Sequence, residues 1–208
     1  MPTPDFDLYL VTDRTQTRGR DLLWVLEQAL DGGVKAVQLR EKDLSGKELF
    51  ELAEKSNLLC RRYNARLFIN DRIDVALAVD AHGVQLGKTS IPIETARALL
   101  GPGKSIGFSA HSLEEARQAE QSGADFVLFG PVYFTPSKAG YGAPQGLTPL
   151  QEIVVKISRP VYAIGGIKSD SIADLRRVGV RGVALISAII SANNPKDASQ
   201  ALLQSLRR

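Results

Sequence analysis

The chain has 208 residues, 44% of them hydrophobic and 24% charged, which is ordinary globular composition and enough for a sizeable core in a single domain spanning 1–208. Its 26 basic and 23 acidic residues give a net charge of +3 but are interspersed, so there is no basic run of the kind that marks a nucleic-acid partner. A single cysteine, Cys60, excludes an intramolecular disulfide or a cysteine metal set, and the segment Met1 to Asp7 has neither the basic nor the apolar part of a signal peptide. The apolar run from Gly182 to Ala192 is too short to span a bilayer, so the expectation is a cytoplasmic protein without a membrane span.

Short apolar, β-branched runs alternate with amphipathic helical stretches along the whole chain. The first strand is predicted at Leu8 to Thr12, and a helix from Asp21 to Leu30 stops at Asp31-Gly32-Gly33, with Trp24 on its apolar face as a core residue. The second strand is Ala36 to Lys42. Ser45 then caps a helix reaching about Tyr63, with Glu48 three residues on as in a capping box and Cys60 as a buried spectator. Next come a strand at Arg66 to Asn70, a short helix at Ile73 to Val79, a strand at Gly83 to Leu86 and a helix at Pro92 to Leu100. A strand at Ser105 to Ser109 leads to a helix that starts at Ser112 and is boxed by Glu115, and a strand follows at Phe126 to Phe129. From Tyr133 to Gly146 the chain is rich in Pro, Gly, Ser and Thr and carries neither period, which marks a long functional loop. The remaining pairs are a helix at Pro149 to Ile157, a strand at Val161 to Ile164, a helix at Ser171 to Val178, a strand at Gly182 to Ile186 and a helix at Pro195 to Leu206.

Eight successive strand–helix units predict a single α/β domain, a (β/α)8 TIM barrel, rather than a doubly wound sheet, because Thr12-Asp13-Arg14-Thr15 lacks the glycines of a dinucleotide turn. In such a barrel the chemistry sits at the C-terminal ends of the strands. Strand alternation puts Gln38, Arg40 and Lys42 on one face and Val37, Leu39 and Glu41 on the other, so two cations and an amide converge on the barrel mouth. Cations turned inward need an anion, and Lys138 of the long loop can close over the same site. Gly165-Gly166, followed by Ser187 at the end of the next strand, forms a second anion site of the phosphate-binding kind. Two anion sites imply two phosphorylated groups. Asp71, beside the cationic site, is the candidate ligand for Mg2+, which binds through one or two carboxylates plus substrate phosphates. His111 reads as structural and His82 as solvent-facing.

Seven pieces, Leu8-Tyr-Leu-Val-Thr-Asp13, Gln38-Leu-Arg-Glu-Lys42, Ile69-Asn-Asp71, Gly107-Phe-Ser-Ala-His111, Gly130-Pro-Val-Tyr-Phe-Thr-Pro-Ser-Lys138, Ala163-Ile-Gly-Gly-Ile167 and Ile186-Ser-Ala188, together resemble the thiamine phosphate synthase family. The resemblance covers nearly the whole chain. It implies an enzyme that joins hydroxymethylpyrimidine diphosphate to a thiazole phosphate and releases pyrophosphate with the help of Mg2+. It implies that Arg40, Lys42, Asn70 and Lys138 hold the pyrophosphate, that Ser109 contacts substrate nearby and that Gln38 contacts the pyrimidine. Thr135, Ser137, the N–H of Gly166, Ile186 and Ser187 would hold the thiazole phosphate, and Asp71 would ligate Mg2+. The catalytic work, charge neutralisation and positioning of the leaving group, would fall to Arg40, Lys42, Lys138 and Ser109.

The sequence departs from the family pattern after the fourth strand, where Val84-Gln-Leu-Gly-Lys-Thr-Ser90 puts Ser90 at the position of a second metal-ligating Asp. A neutral hydroxyl is a poorer ligand for a hard dication, and Lys88 is a candidate to compensate with direct positive charge. Two alternatives stay open on the sequence. A thiazole tautomerase of the same superfamily would place a His where Pro131 stands, and a non-catalytic thiamine-precursor-binding protein would bind without turnover. The sequence leaves a homo-oligomer open.

Overall fold

The computed structural model describes residues 4–135 and 143–207. Eight parallel strands close into a barrel in chain order: β1 (Leu8–Val11), β2 (Ala36–Leu39), β3 (Arg66–Asn70), β4 (Gly83–Leu86), β5 (Ser105–Ala110), β6 (Phe126–Phe129), β7 (Val161–Ile164) and β8 (Gly182–Leu185), which pairs back to β1. Helices α1 (Leu22–Asp31), α2 (Gly46–Arg62), α3 (Ile73–Ala78), α4 (Ile93–Leu100), α5 (Leu113–Gln121), α6 (Leu147–Lys156) and α7 (Ile172–Val178) form the outer layer. A one-turn α8 (Ser187–Ile190) and the terminal α9 (Pro195–Arg207) complete it. The barrel predicted from eight strand–helix units is therefore the fold.

Local chemistry sets the helix starts. Asp21 accepts from the Trp24 N–H at 3.0 Å, and Ser45 and Glu48 form the reciprocal capping box. Ser112 accepts from the Glu115 N–H at 3.1 Å, while the Glu115 carboxylate reaches one residue further back and accepts from the His111 N–H at 2.7 Å. Either way, backbone donors left over at a helix start find oxygen partners.

The lower half of the barrel is filled by aromatic rings. Tyr9, Phe68, Phe126 and Tyr162 point inward from β1, β3, β6 and β7, and Phe6, from the segment ahead of β1, plugs the N-terminal end. Phe6 lies 4.9 Å from Tyr162 and 5.4–5.9 Å from Tyr9, Phe68 and Phe126, centroid to centroid, and its carbonyl accepts from the Tyr162 hydroxyl at 2.8 Å. Such pairs contribute roughly 0.5–1.5 kcal/mol each beyond the area they bury. With the bottom sealed by hydrocarbon, the polar inward residues of β2 to β5 gather at the opposite end.

Several expectations are corrected by packing. Trp24 is 44% exposed, because Leu22, Val25, Leu26, Ala29 and Leu30 already form the inward stripe of α1 and position 24 lies on the far side of it. Its ring is covered from outside by the Arg20 guanidinium, 5.6 Å from the centroid. His82 does not face solvent. It is half-buried edge-on to Phe68 at 5.4 Å, and burial, reinforced by the charges of Arg66 and Lys104, pushes its pKa down to about 4. Cys60 is buried as expected, and burial pushes its thiol up to about 12. β2 ends at Leu39, so strand alternation does not carry on to Lys42, and β8 ends at Leu185 because the chain enters α8 at Ser187.

Candidate active site

The C-terminal mouth of the barrel has a polar floor made of two glutamines. Gln38 of β2 and Gln85 of β4 are buried, at 3% and 2% exposure, and both are inward-facing positions of their strands. Tyr9 lies within the barrel with its hydroxyl buried and without a hydrogen-bond partner among the described residues, and burial raises its pKa well above the usual value. The Gln85 Nε2 donates to Ser109 Oγ at 3.0 Å, while its Oε1 is buried with no partner in the structure. That oxygen sits over Gly107, where an added Cβ would come within 2.3 Å of it. The hydrogen bond fixes Ser109, so that one amide and one hydroxyl are oriented together at the floor.

Arg40 stands just beyond the end of β2. Its N–H donates to Thr12 Oγ1 at 2.9 Å, and the Thr12 N–H donates to the Gln38 carbonyl at 2.9 Å, so two hydrogen bonds across β1 and β2 set the direction in which the chain leaves the sheet. Glu41, predicted on the outward face, is buried at 5% exposure and accepts from Thr12 Oγ1 and from the Arg14 N–H. Asp13, at the end of β1, accepts from the Thr15 N–H, the Thr15 hydroxyl and Gln16 Nε2. Burial alone would raise its carboxyl, but those hydrogen bonds, with a further contribution from the Arg40 charge, hold it below the usual range. Lys42 is exposed on the rim.

At the end of β3, Asn70 Nδ2 donates to Asp71 Oδ2 at 2.8 Å, and Ser90 Oγ donates to Asp71 Oδ1. Ser90 Oγ in turn accepts from the Gly87 N–H at 2.7 Å. Asp71 has a φ of +59°, a left-handed conformation that Asp tolerates better than most residues, and its N–H donates to the Gln85 carbonyl at 3.0 Å. Ser90 is thus a hydrogen-bond donor to the carboxylate beside it. Asp71, Ser90 and Asn70 present hard oxygen donors, which fits Mg2+ as a group completed by substrate oxygens. Among the described residues no group of three or more His, Cys, Asp or Glu side chains could hold a metal by itself. Lys88, expected to compensate for Ser90, instead extends towards Glu115, with 3.5 Å between the charged groups.

The opposite rim is built by β6, β7 and β8. The Val132 and Tyr133 N–H groups donate to the carbonyls of Ile164 and Gly165 at 2.9 and 3.0 Å, laying the loop after β6 over the turn after β7. Gly166 has a φ of +65°, and a Cβ there would sit 2.4 Å from the Phe134 carbonyl oxygen. Only glycine fits that turn without displacing the loop. Thr135 lies at the end of the described part of this loop, and Ser137 and Lys138 lie outside the described residues. His111, expected to be structural, has its Nδ1 2.5 Å from the Gly130 carbonyl oxygen.

α8, which no periodicity in the sequence announces, begins at Ser187. Arg20 holds its far end, donating to the carbonyls of Ile190 and Ala192 at 2.8 and 2.7 Å and to Thr17 at 2.8 Å, and Ser191 Oγ donates to the Gln16 carbonyl at 3.0 Å. A loop after β7, a loop after β8 and a short extra helix make up the part of such barrels that commonly binds phosphate. No local pattern marks Arg20 and Glu41 as site-shaping residues, because their partners Thr12, Arg14, Ile190 and Ala192 lie 27 to 172 positions away.

The model of the thiamine monophosphate synthase family matches residues 8–189. A protein of Geobacter sulfurreducens is 52% identical over 206 residues, covering 99% of this chain and 97% of its own. The thiamine-phosphate synthase of Clostridium novyi is 43% identical over 198 residues, 95% of this chain and 97% of that one. Among solved structures, the thiamine phosphate pyrophosphorylase of Pyrococcus furiosus superposes with a TM-score of 0.88 at 40% identity, covering 97% of this chain and 96% of that one.

Proposed function

The chain belongs to the thiamine monophosphate synthase family and is a transferase that forms thiamine phosphate, and from that premise we propose how the two rims of its mouth divide the substrates. The diphosphate of hydroxymethylpyrimidine diphosphate takes the rim of Arg40, Lys42 and Asn70, with Lys138 as a further cation. The pyrimidine ring rests on the polar floor, Gln38 and Ser109 reading its nitrogen edges. The thiazole phosphate takes the opposite rim, at Gly166, Ile186 and Ser187, with Thr135 and Ser137 of the long loop. The observation that carries this reading is the separation of the two rims by a buried amide floor, Gln38 on one side and the Gln85–Ser109 pair on the other.

In this arrangement the bond between the pyrimidine methylene carbon and the diphosphate oxygen breaks, the electron pair leaving with pyrophosphate, and the thiazole nitrogen supplies the pair for the new carbon–nitrogen bond. Arg40, Lys42 and Lys138 neutralise charge growing on the departing oxygens, which is worth most where it is already in place before reaction. The floor and the opposite rim hold methylene and nitrogen on one line, so positioning replaces any covalent nucleophile. Mg2+, held by Asp71 with support from Ser90 and Asn70, would add a Lewis acid at the diphosphate oxygens. Pro131 has no titratable side chain with which to serve as the base of a tautomerase.

Incubating the protein with both substrates, with and without Mg2+, and following thiamine phosphate by chromatography tests the reading. Metal-stimulated product formation is the expected result. Folded protein that binds thiazole phosphate but forms no product in either condition would overturn it in favour of a binding protein.

A further inference from the structure

The residues just outside the diphosphate rim carry charges that ought to cancel it. Arg14, Arg40 and Lys42 are interleaved with Glu41 and Asp43 in two adjacent loops. Two carboxylates so near two phosphate-binding cations would be expected to pair with them and oppose an incoming anion. They do not. The Arg14 guanidinium grips Asp43 with both terminal nitrogens at 2.6 Å each, and its Nη1 also lies 3.5 Å from Glu41 Oε2. Glu41 is further occupied by the Arg14 N–H, which donates to both carboxylate oxygens at 3.2 and 3.1 Å, and by Thr12 Oγ1, which donates at 2.6 Å. Among the described residues, no ion pair within 4 Å involves Arg40 or Lys42; Asp13, the remaining acid that feels the Arg40 charge, is itself tied to Thr15 and Gln16.

We infer that Arg14 is a positioning residue that sequesters Glu41 and Asp43, leaving the charges of Arg40 and Lys42 free for a diphosphate. The inference rests on the reading of that rim as the diphosphate site. The geometry favours an arginine for this task, because one planar guanidinium can serve two carboxylates at once, whereas a lysine ammonium is a single point charge. Thr12 completes the device: its hydroxyl donates to Glu41 and accepts from the Arg40 backbone N–H, so one side chain ties down both the acid and the chain at Arg40. Buried at 5% exposure, Glu41 has no water shell to screen it if Arg14 is lost.

Titration calorimetry with inorganic pyrophosphate and, separately, with thiazole phosphate tests the inference on the full chain. Arg14→Gln frees Asp43 and strips the cation from beside Glu41, which keeps its hydrogen bonds to the residue-14 N–H and Thr12 Oγ1, and should weaken pyrophosphate binding by about tenfold, with thiazole phosphate affinity unchanged. Adding Glu41→Gln and Asp43→Asn to that variant removes the released charge and should restore pyrophosphate affinity to within about twofold of the parent, a rescue that lost packing alone would not give. Should Arg14→Gln not fold, Arg14→Lys carries the test, with an expected loss of about threefold. Pyrophosphate binding unchanged in the Arg14 variant, or a charge-removed variant that stays weak, overturns the inference. A parent protein that does not bind pyrophosphate overturns the diphosphate-site reading together with it.

Discussion

Replacing Ser90 with Asp should change stability in opposite directions depending on Mg2+. In the parent, Ser90 Oγ donates to Asp71 Oδ1 and accepts from the Gly87 N–H. An Asp at position 90 keeps the acceptor but loses the donor, so a hydrogen bond to a carboxylate, worth about 1 kcal/mol at a partly exposed site, disappears. It also sets a second negative charge roughly 4 Å from the first, a repulsion of about 1 kcal/mol in a water-like dielectric. The sum, about 2 kcal/mol, corresponds to a fall in Tm of about 4–8 °C for a chain of this size when divalent ions are chelated. With Mg2+ present, a two-carboxylate site gains what the parent lacks: at a free concentration about one hundred times Kd, binding contributes roughly 2.7 kcal/mol, enough to offset the loss. Differential scanning fluorimetry of parent and Ser90→Asp, each with chelator and with Mg2+ but without substrate, reads both effects. A variant whose Tm does not move with chelator, or whose response to Mg2+ matches that of the parent, would refute the assignment of this corner of the mouth to the metal.

Three further outcomes follow from the same geometry. His82 binds its proton less readily when folded, with its pKa pushed from 6.5 to about 4, so between those values the unfolded chain holds more protons and stability falls as pH drops through the window. For a half-buried ring the loss across the window is about 1–2 kcal/mol, and urea unfolding of His82→Gln at pH 7 and pH 4.5 should show that part of the slope abolished. Gly166→Ala forces a φ of +65° on a residue with a Cβ and drives that carbon to 2.4 Å from the Phe134 carbonyl oxygen. The left-handed conformation alone costs about 1–2 kcal/mol, so the KM for thiazole phosphate should rise by about tenfold or more while pyrophosphate affinity holds, as steady-state kinetics and calorimetry would show. Phe6→Ala empties the plug of the barrel floor and should cost about 3–4 kcal/mol in urea unfolding with KM values unchanged, since the plug lies at the end of the barrel opposite the mouth.

What the sequence made legible divides according to the range of the forces involved. β3, β4, β6 and β7 have the predicted bounds, because each is an apolar run cut off by Gly, Pro, Asn or Asp whose own backbone preferences end the strand. α2 and α5 start where Ser45 and Ser112 cap them, for a capping hydrogen bond needs only the next three residues. The errors share a different cause. α8 is a single turn, too short to display a period, and it persists because Arg20 reaches across from the loop after β1 to take its carbonyls. Trp24 looked like core by hydrophobicity, yet helix geometry had already assigned the inward stripe to five neighbours. At the mouth, Gln38 is the inward position of β2 that alternation predicts, but the chain leaves the strand after Leu39, and what holds Glu41 is an arginine 27 residues earlier in the chain. A barrel puts the end of β1 beside the end of β2, so Arg14 and Glu41 become neighbours only once the sheet has closed. Charge in such a site is therefore decided by which loops the strand order makes adjacent, and a run such as Arg40-Glu41-Lys42-Asp43, neutral when counted along the chain, becomes a cationic rim in three dimensions.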